Sequence, residues 1–317
     1  MASYPANVLL SRRRCLDSLG CLGAGLALGV AGCGPSETRH QGPVYRDQPD
    51  ATGRPVCRWA VHPLHNPRKL FERYQPLIEW LNLKVPEVRW VLEASRDYPE
   101  YERKYRARAF EFILPNPWQT LDAIKFGYHV IAMAGDPKQF KGILIVRRDS
   151  QFKSPLDLKG RTISYPAPTA LAACMMPQLW LRSQGLNVMR ETRSMFVGSH
   201  ESTLMNVYLG NSSAGGTWPP PWKVFQNEHP KEAAELMLAW ETPSLVNTSV
   251  MVRDDVSPAV RDATRRALLS LADAPEGAAM LVGLDMDRFH PAQDSTYEVV
   301  RDYVARFERE IRPVEAL

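Results

Sequence analysis

From Val56 onward, short apolar runs alternate with longer stretches in which apolar residues recur at helical spacing, the pattern of an α/β protein with a parallel or mixed sheet. Cys57–Val61 reads as a first strand. Asn66 and Pro67 then supply an N-cap and an N1 proline, and Leu70, Tyr74, Leu77, Ile78 and Leu81 fall on one helix face. Pro76 is expected to bend that helix without ending it. The pattern goes on to predict a strand at Val88–Leu92, a helix at Tyr98–Ala107, a strand at Phe110–Leu114 and a helix at Gln119–Phe126. Further strands are predicted at Ile143–Val146, Thr162–Tyr165 and Ser194–Val197, with helices at Ala170–Gln184 and near Glu201–Leu209. Ser154-Pro155-Leu156-Asp157 has the form of a capping box. Towards the C-terminus, Ser257-Pro258 opens one helix, and Ser295-Thr296-Tyr297-Glu298 is expected to cap another that runs to about Ile311.

The leading segment follows a different logic. Arg12-Arg13-Arg14, a Gly-rich apolar stretch from Ser18 to Ala31 and small residues before Cys33 read as an export signal over 1–32. Ser11–Leu16 resembles a twin-arginine export motif, and Val30-Ala31-Gly32-Cys33 resembles a bacterial lipobox, which would make Cys33 the site of lipid attachment. Residues 33–55 are polar and rich in Pro and Gly, and read as a flexible tether. The 317-residue chain is 44% hydrophobic and 23% charged, the composition of a folded protein. Its net charge of +4 falls to +2 once Arg12, Arg13, Arg14 and Asp17 are set aside, which argues against nucleic-acid binding driven by charge. Of five cysteines only Cys57 and Cys174 lie in the globular part, so there is no disulfide scaffold.

No catalytic set assembles. The chain has no Gly-x-Ser-x-Gly elbow, no phosphate loop and no paired metal-ligand clusters. His62-Pro63-Leu64-His65 reads as a loop at a strand end, and neither metal nor cofactor is expected. Placement is more informative: His62/His65, Asn116/Trp118, Thr169 and Ser199/His200 each lie where a predicted strand gives way to a loop or helix. In open α/β sheets that edge holds ligands, and free helix N–H groups favour anions there.

The ordered series of motifs resembles the periplasmic phosphate/phosphite/phosphonate-binding proteins of ABC transporters, from about Trp59 to Phe307. It consists of Ala60–Pro67 with Gln75-Pro76-Leu77, Ala94–Tyr98, Phe110–Trp118, Ser154–Arg161, Gly198–Glu201 and Phe289–Asp294. The resemblance implies a two-lobed clamshell of the type II periplasmic-binding fold. Lobe I would comprise 56–138 and 245–317 and lobe II 139–244, with crossings near Asp136–Lys141 and Glu241–Asn247. It further implies a monomer in the cell envelope that binds a small anion between the lobes and delivers it to an ABC permease. A sensory protein feeding a histidine kinase, and an enzyme on the same scaffold, are the alternative classes.

By motif, Tyr98, Asn116, Trp118 and His65 would face the ligand from the first lobe, and Thr169, Ala170, Ser199, His200 and Trp218 from the second. Two departures bear on specificity. Where many relatives carry a Ser-Thr-Ser cluster, this chain has Thr169-Ala170-Leu171-Ala172-Ala173-Cys174, so most hydroxyl donors are missing. Acidic residues that would hold the amine of an aminophosphonate are also missing from Gly216–Pro220 and Val246–Ser249. Trp118, Trp218 and Trp222 suggest an aromatic-lined cleft, with a rigid external Pro-Trp loop as the alternative. Cys174 is expected as a buried small residue, or else as a soft ligand for a thiophilic species.

Overall fold

The computed structural model describes residues 53–314, so the signal, Cys33 and most of the tether lie outside the described residues. The chain begins β1 (Val56–Val61), α1 (Pro67–Lys84), β2 (Arg89–Glu93), α2 (Tyr98–Arg106), β3 (Phe112–Leu114), α3 (Pro117–Ile124) and β4 (Tyr128–Ala134). It continues through β5 (Ile143–Arg147), β6 (Thr162–Tyr165), a π-helical turn at Leu171–Met175 leading into α4 (Met176–Ser183), α5 (Val188–Glu191), β7 (Arg193–Phe196), α6 (His200–Tyr208) and β8 (Ala214–Thr217). Then follow α7 (Pro219–Glu228), α8 (Pro230–Ala234), β9 (Leu236–Glu241), β10 (Ser249–Arg253), α9 (Pro258–Ser270), α10 (Gly277–Gly283), β11 (Phe289–His290) and α11 (Glu298–Glu310).

These strands form two mixed sheets, one of six strands in the order β11-β4-β10-β3-β1-β2 and one of five in the order β7-β6-β8-β5-β9. In the first, β1 runs parallel to β2 and β3, while β10 enters antiparallel between β3 and β4. In the second, β6 is parallel to β7 and β8, and β5 is antiparallel to β8 and β9. The fold is therefore α/β and two-lobed, with the first sheet built from both ends of the described chain. The chain passes between the sheets at 135–142 and 242–248, where the two strands run side by side. Gly142 N–H donates to Thr242 Oγ1, Thr242 N–H to Gly142 O and Leu245 N–H to Phe140 O, each at 2.9 Å. The Asn247 side chain also donates to Asp136 O at 2.9 Å.

Local chemistry explains most of the elements. Asn66 caps α1 by accepting from Lys69 N–H, and the predicted face of that helix (Leu70, Tyr74, Leu77, Ile78, Leu81) is buried together with Trp80. Trp59, Trp90 and Phe112 form the aromatic centre of the first core, with Trp59 stacked on Phe112 at 6.0 Å. Strands β4, β8, β9, β10 and β11 were not expected. β8 reads Ala214-Gly215-Gly216-Thr217, a turn-like composition, yet all four residues are buried. The Pro-Trp segment is not an external loop but the start of α7, because prolines are tolerated in a first helical turn, where the N–H groups have no partner in any case. The capping box ahead of α11 uses Gln293 and Thr296 instead of Ser295, since a 3₁₀ turn precedes the helix.

Glycines in β8 set the position of the π-turn. A Cβ on Gly216 would overlap the carbonyl of Ala173 and the ring of Tyr165, and a Cβ on Gly142 would overlap Ala172 O. Close approach of the sheet to Leu171–Met175 therefore depends on the absence of side chains at both positions. Gly216→Ala is expected to destabilise the protein by about 1–3 kcal/mol, as overpacking does, read as a lower urea midpoint at unchanged m-value. Wild-type stability in that variant would show that the turn is not held by this contact.

Candidate ligand-binding site

Strand ends and helix starts from both sheets meet in one place. The first sheet brings His62 from the end of β1, Tyr98 from the first residue of α2 and Asn116 from the N-cap of α3. The second brings Ala170–Ala173 at the start of the π-turn, His200 at the first residue of α6 and Trp218 at the N-cap of α7. With Phe140 from the first crossing segment, these residues line a cavity of about 10 Å³, room for roughly one water molecule. Each helix directs its N-terminus, and so the positive end of its dipole, towards this region.

The start of the π-turn is chemically incomplete. Ala170 stands at the N-cap with no side-chain hydrogen bond, and the helical ladder begins only with Cys174 N–H donating to Ala170 O at 2.7 Å. The N–H groups of Leu171, Ala172 and Ala173 precede that ladder, and these residues are at most 5% exposed. Buried helix-start N–H groups without a cap call for an external acceptor.

Thr169 joins the two halves. Its hydroxyl donates to Glu102 Oε1 at 2.7 Å, and its carbonyl accepts from the Asn116 side-chain amide at 3.1 Å. Tyr98 Oη lies 3.4 Å from His200 Nε2, and His200 Nδ1 shares a 2.9 Å hydrogen bond with Thr217 Oγ1. Further out, Lys69 on α1 donates to Glu201 on α6 at 2.7 Å and contacts Glu228, while Lys223 on α7 meets Asp285 at 3.1 Å. Arg312 donates to Pro168 O at 3.0 Å.

The structure thus brings together Tyr98, Asn116, Thr169, Ala170, His200 and Trp218, and places the other expected residues elsewhere. Trp118 lines a separate groove with α11, bounded by Leu121, Arg301 and Val304, because the N-cap turn that points Asn116 inward carries the next-but-one residue to the opposite side. His65 and Ser199 line a small neighbouring space with Lys69 and Glu228. Ser199 caps α6, its hydroxyl accepting from Ser202 N–H at 3.0 Å. Cys174 is fully buried in the second core, with burial pushing its thiol pKa up to about 12, so it is no soft ligand facing the cleft. Glu102 and Thr217 escaped the sequence reading. Glu102 follows Tyr98 by four residues and therefore shares its helix face, a signal available from spacing alone.

Among the described residues, no cationic side chain lines the cavity at neutral pH. Burial lowers the pKa of His62 to about 4 and that of His200 to about 3. His62 Nδ1–H donates to Leu114 O at 2.9 Å, which leaves Nε2 of the neutral ring as an acceptor. Burial raises the pKa of Tyr98, keeping its hydroxyl protonated as a donor. It also raises that of Glu102, against the opposing hydrogen bonds from Thr169 and Gln119.

Two lobes meeting over a cage of helix starts define a binding protein of the clamshell class. Residues 59–297 match the family described as the periplasmic substrate-binding proteins of phosphonate ABC transporters, and the chain belongs to that family. It is 24% identical over 135 residues to the probable ABC transporter phosphite-binding protein PhnD1 of Prochlorococcus marinus, covering 40% of this chain and 46% of that relative's length. The fold is similar to that of PhnD1 from the same organism in complex with methylphosphonate, at TM-score 0.74, 18% identity, and coverage of 80% and 98% of the two chains. It is likewise similar to that of a binding component of a phosphonate ABC transporter from Pseudomonas aeruginosa, at TM-score 0.75 and 15% identity, with 81% and 88% covered.

Because His62 and His200 are neutral in the folded protein but bind protons near pH 6.5 when exposed, the unfolded state holds more protons as pH falls. Stability is therefore complete above about pH 6.5 and declines downward until the folded pKa values near 4 and 3 are reached, by up to about 1.4 kcal/mol per pH unit for each proton. Urea titrations of the wild type and His200→Gln between pH 7 and 4 should show a shallower decline in the variant; equal slopes would contradict a buried neutral His200.

Proposed function

We propose that this chain is the solute-binding component of an ABC-type uptake system, exported to the periplasm, held at the membrane by lipid on Cys33 and working as a monomer. Among the described residues no helix is long and apolar enough to cross a membrane, so attachment rests on the lipobox-like Val30–Cys33. Its ligand is a small oxyanion of the phosphate, phosphite or phosphonate type, bound between the lobes. The observation that carries this reading is the uncapped start of the π-turn, whose buried residues Ala170 to Ala173 line a cavity built from both lobes.

The water-sized cavity cannot take a tetrahedral oxyanion while Asn116 and Tyr98 touch Thr169 and His200, so the lobes part about the paired crossing segments to admit it. On closure the anion receives the N–H groups of the π-turn together with Tyr98 Oη and the Asn116 amide, contacts present only when both lobes meet. Binding therefore shifts an open-closed equilibrium. Backbone dipoles and neutral donors, with no lysine or arginine among the described residues that line the cavity, suit a small anion that must later be released. The direct contacts between the lobes compete with the ligand and lower its apparent affinity.

Calorimetric titration with methylphosphonate, phosphite and phosphate tests the reading. At least one is expected to bind, with Tyr98→Phe weakening it about tenfold or more, as loss of one hydrogen bond to a charged group does, and His200→Ala weakening it through loss of the partner that orients Tyr98. Heat signals absent for all three anions would contradict the assignment.

A further inference from the structure

Next to the small cage lies a much larger space, and the two meet at shared walls. A cavity of about 710 Å³ opens between the second lobe's α7, the crossing segments and the loop at 284–287, within the size range of sites for drug-sized organic ligands. His62 and Trp218 line both spaces. An anion seated at the helix starts therefore has a large space beside it into which its remaining atoms extend.

The walls define what those atoms are. Trp218 and Trp222 form one side with Pro219 and Pro220, Leu238 of β9 adds to the second lobe's wall, and Leu64 and Met286 contribute apolar surface from the first lobe. Aromatic side chains at this density favour flat or bulky apolar groups. The charged residues of the rim exclude a second anion. Lys141 is matched by Glu241 at 2.8 Å, Lys223 and Arg73 share Asp285, and Asp287 meets His290 at 3.0 Å, so that the lining carboxylates Asp136, Glu241, Asp285 and Asp287 outnumber the lining cations Lys141 and Lys223. A methyl substituent would leave almost all of this space to water.

We infer that the natural ligand is an oxyanion carrying a bulky apolar or aromatic, uncharged substituent, held with its anionic group at the helix starts and its substituent between Trp218 and Trp222. This rests on the anion-binding reading above and assigns the large cavity as the substituent subsite, with Trp222 and Leu238 as specificity-determining positions.

Titration of the whole protein with methylphosphonate, benzylphosphonate and 4-carboxybenzylphosphonate tests the inference. Benzylphosphonate is expected to bind about tenfold or more tighter than methylphosphonate through burial of its ring, and the carboxylated compound to lose that gain. Trp222→Ala removes a wall; Leu238→Trp, at a position that is 43% exposed and thus tolerant of a larger side chain, fills the space. Both variants should abolish the benzyl advantage while binding methylphosphonate as the wild type does, which also reports that they are folded. Equal affinity for the methyl and benzyl compounds, or a benzyl advantage untouched by both variants, would overturn the subsite and leave the anion reading standing. No binding of any of the three by the wild type would overturn both.

Discussion

The closed arrangement depends on Thr169. Through its hydroxyl it is bound to Glu102 and through its carbonyl to Asn116, so a single residue of the second lobe is held by two helices of the first. Both acceptor and donor are buried, and Glu102 gains a charge-assisted bond in an apolar setting, where leaving a carboxylate short of partners is costly. Everything else in the cleft follows from this registration. It sets Tyr98 against His200, brings the π-turn under the α3 cap and leaves the helix starts aimed at one point. A π-turn in place of a regular first turn belongs to the same arrangement, since such turns are common where a helix is reshaped for function, and Gly142 and Gly216 give its backbone room.

A cage of this kind separates affinity from net charge. The polar groups around it are neutral, and the charged pairs that cross the cleft (Lys69 with Glu201 and Glu228, and Lys223 with Asp285) stand outside it. Partly exposed pairs contribute modestly, about 0–1 kcal/mol each, so they serve to align the lobes more than to hold them shut. On the proposed reading, the selective work falls to buried dipoles and to the shape of the cage.

Much of the scaffold was legible because it obeys local rules. The apolar face of α1, the Asn66 and Ser257 caps and the strand at Thr162–Tyr165 each follow from side-chain chemistry within a few residues. What escaped was set by tertiary context. Ala214–Thr217 becomes a strand because its glycines admit the π-turn, and Pro219–Glu228 a helix because its prolines occupy the one turn that tolerates them. In the site, the family resemblance pointed to Tyr98 and placement at strand ends to Asn116, Thr169 and His200, which the structure brings together. Placement erred on Trp118, where a two-residue step around a helix start reverses direction, and on His65, where the cavity takes the nearer His62 instead. Glu102 was passed over because a charged residue on a helix reads as solvent-facing until its neighbours Tyr101 and Tyr105 are seen to be buried.

The most direct test of this account removes one hydroxyl. Thr169→Val keeps the shape of the side chain but cannot donate to Glu102, so the lobes should part. Small-angle X-ray scattering of the ligand-free variant is predicted to give a larger radius of gyration than the wild type, with addition of methylphosphonate restoring the compact value. Identical scattering from the two ligand-free proteins would show that Thr169 does not hold the cleft closed.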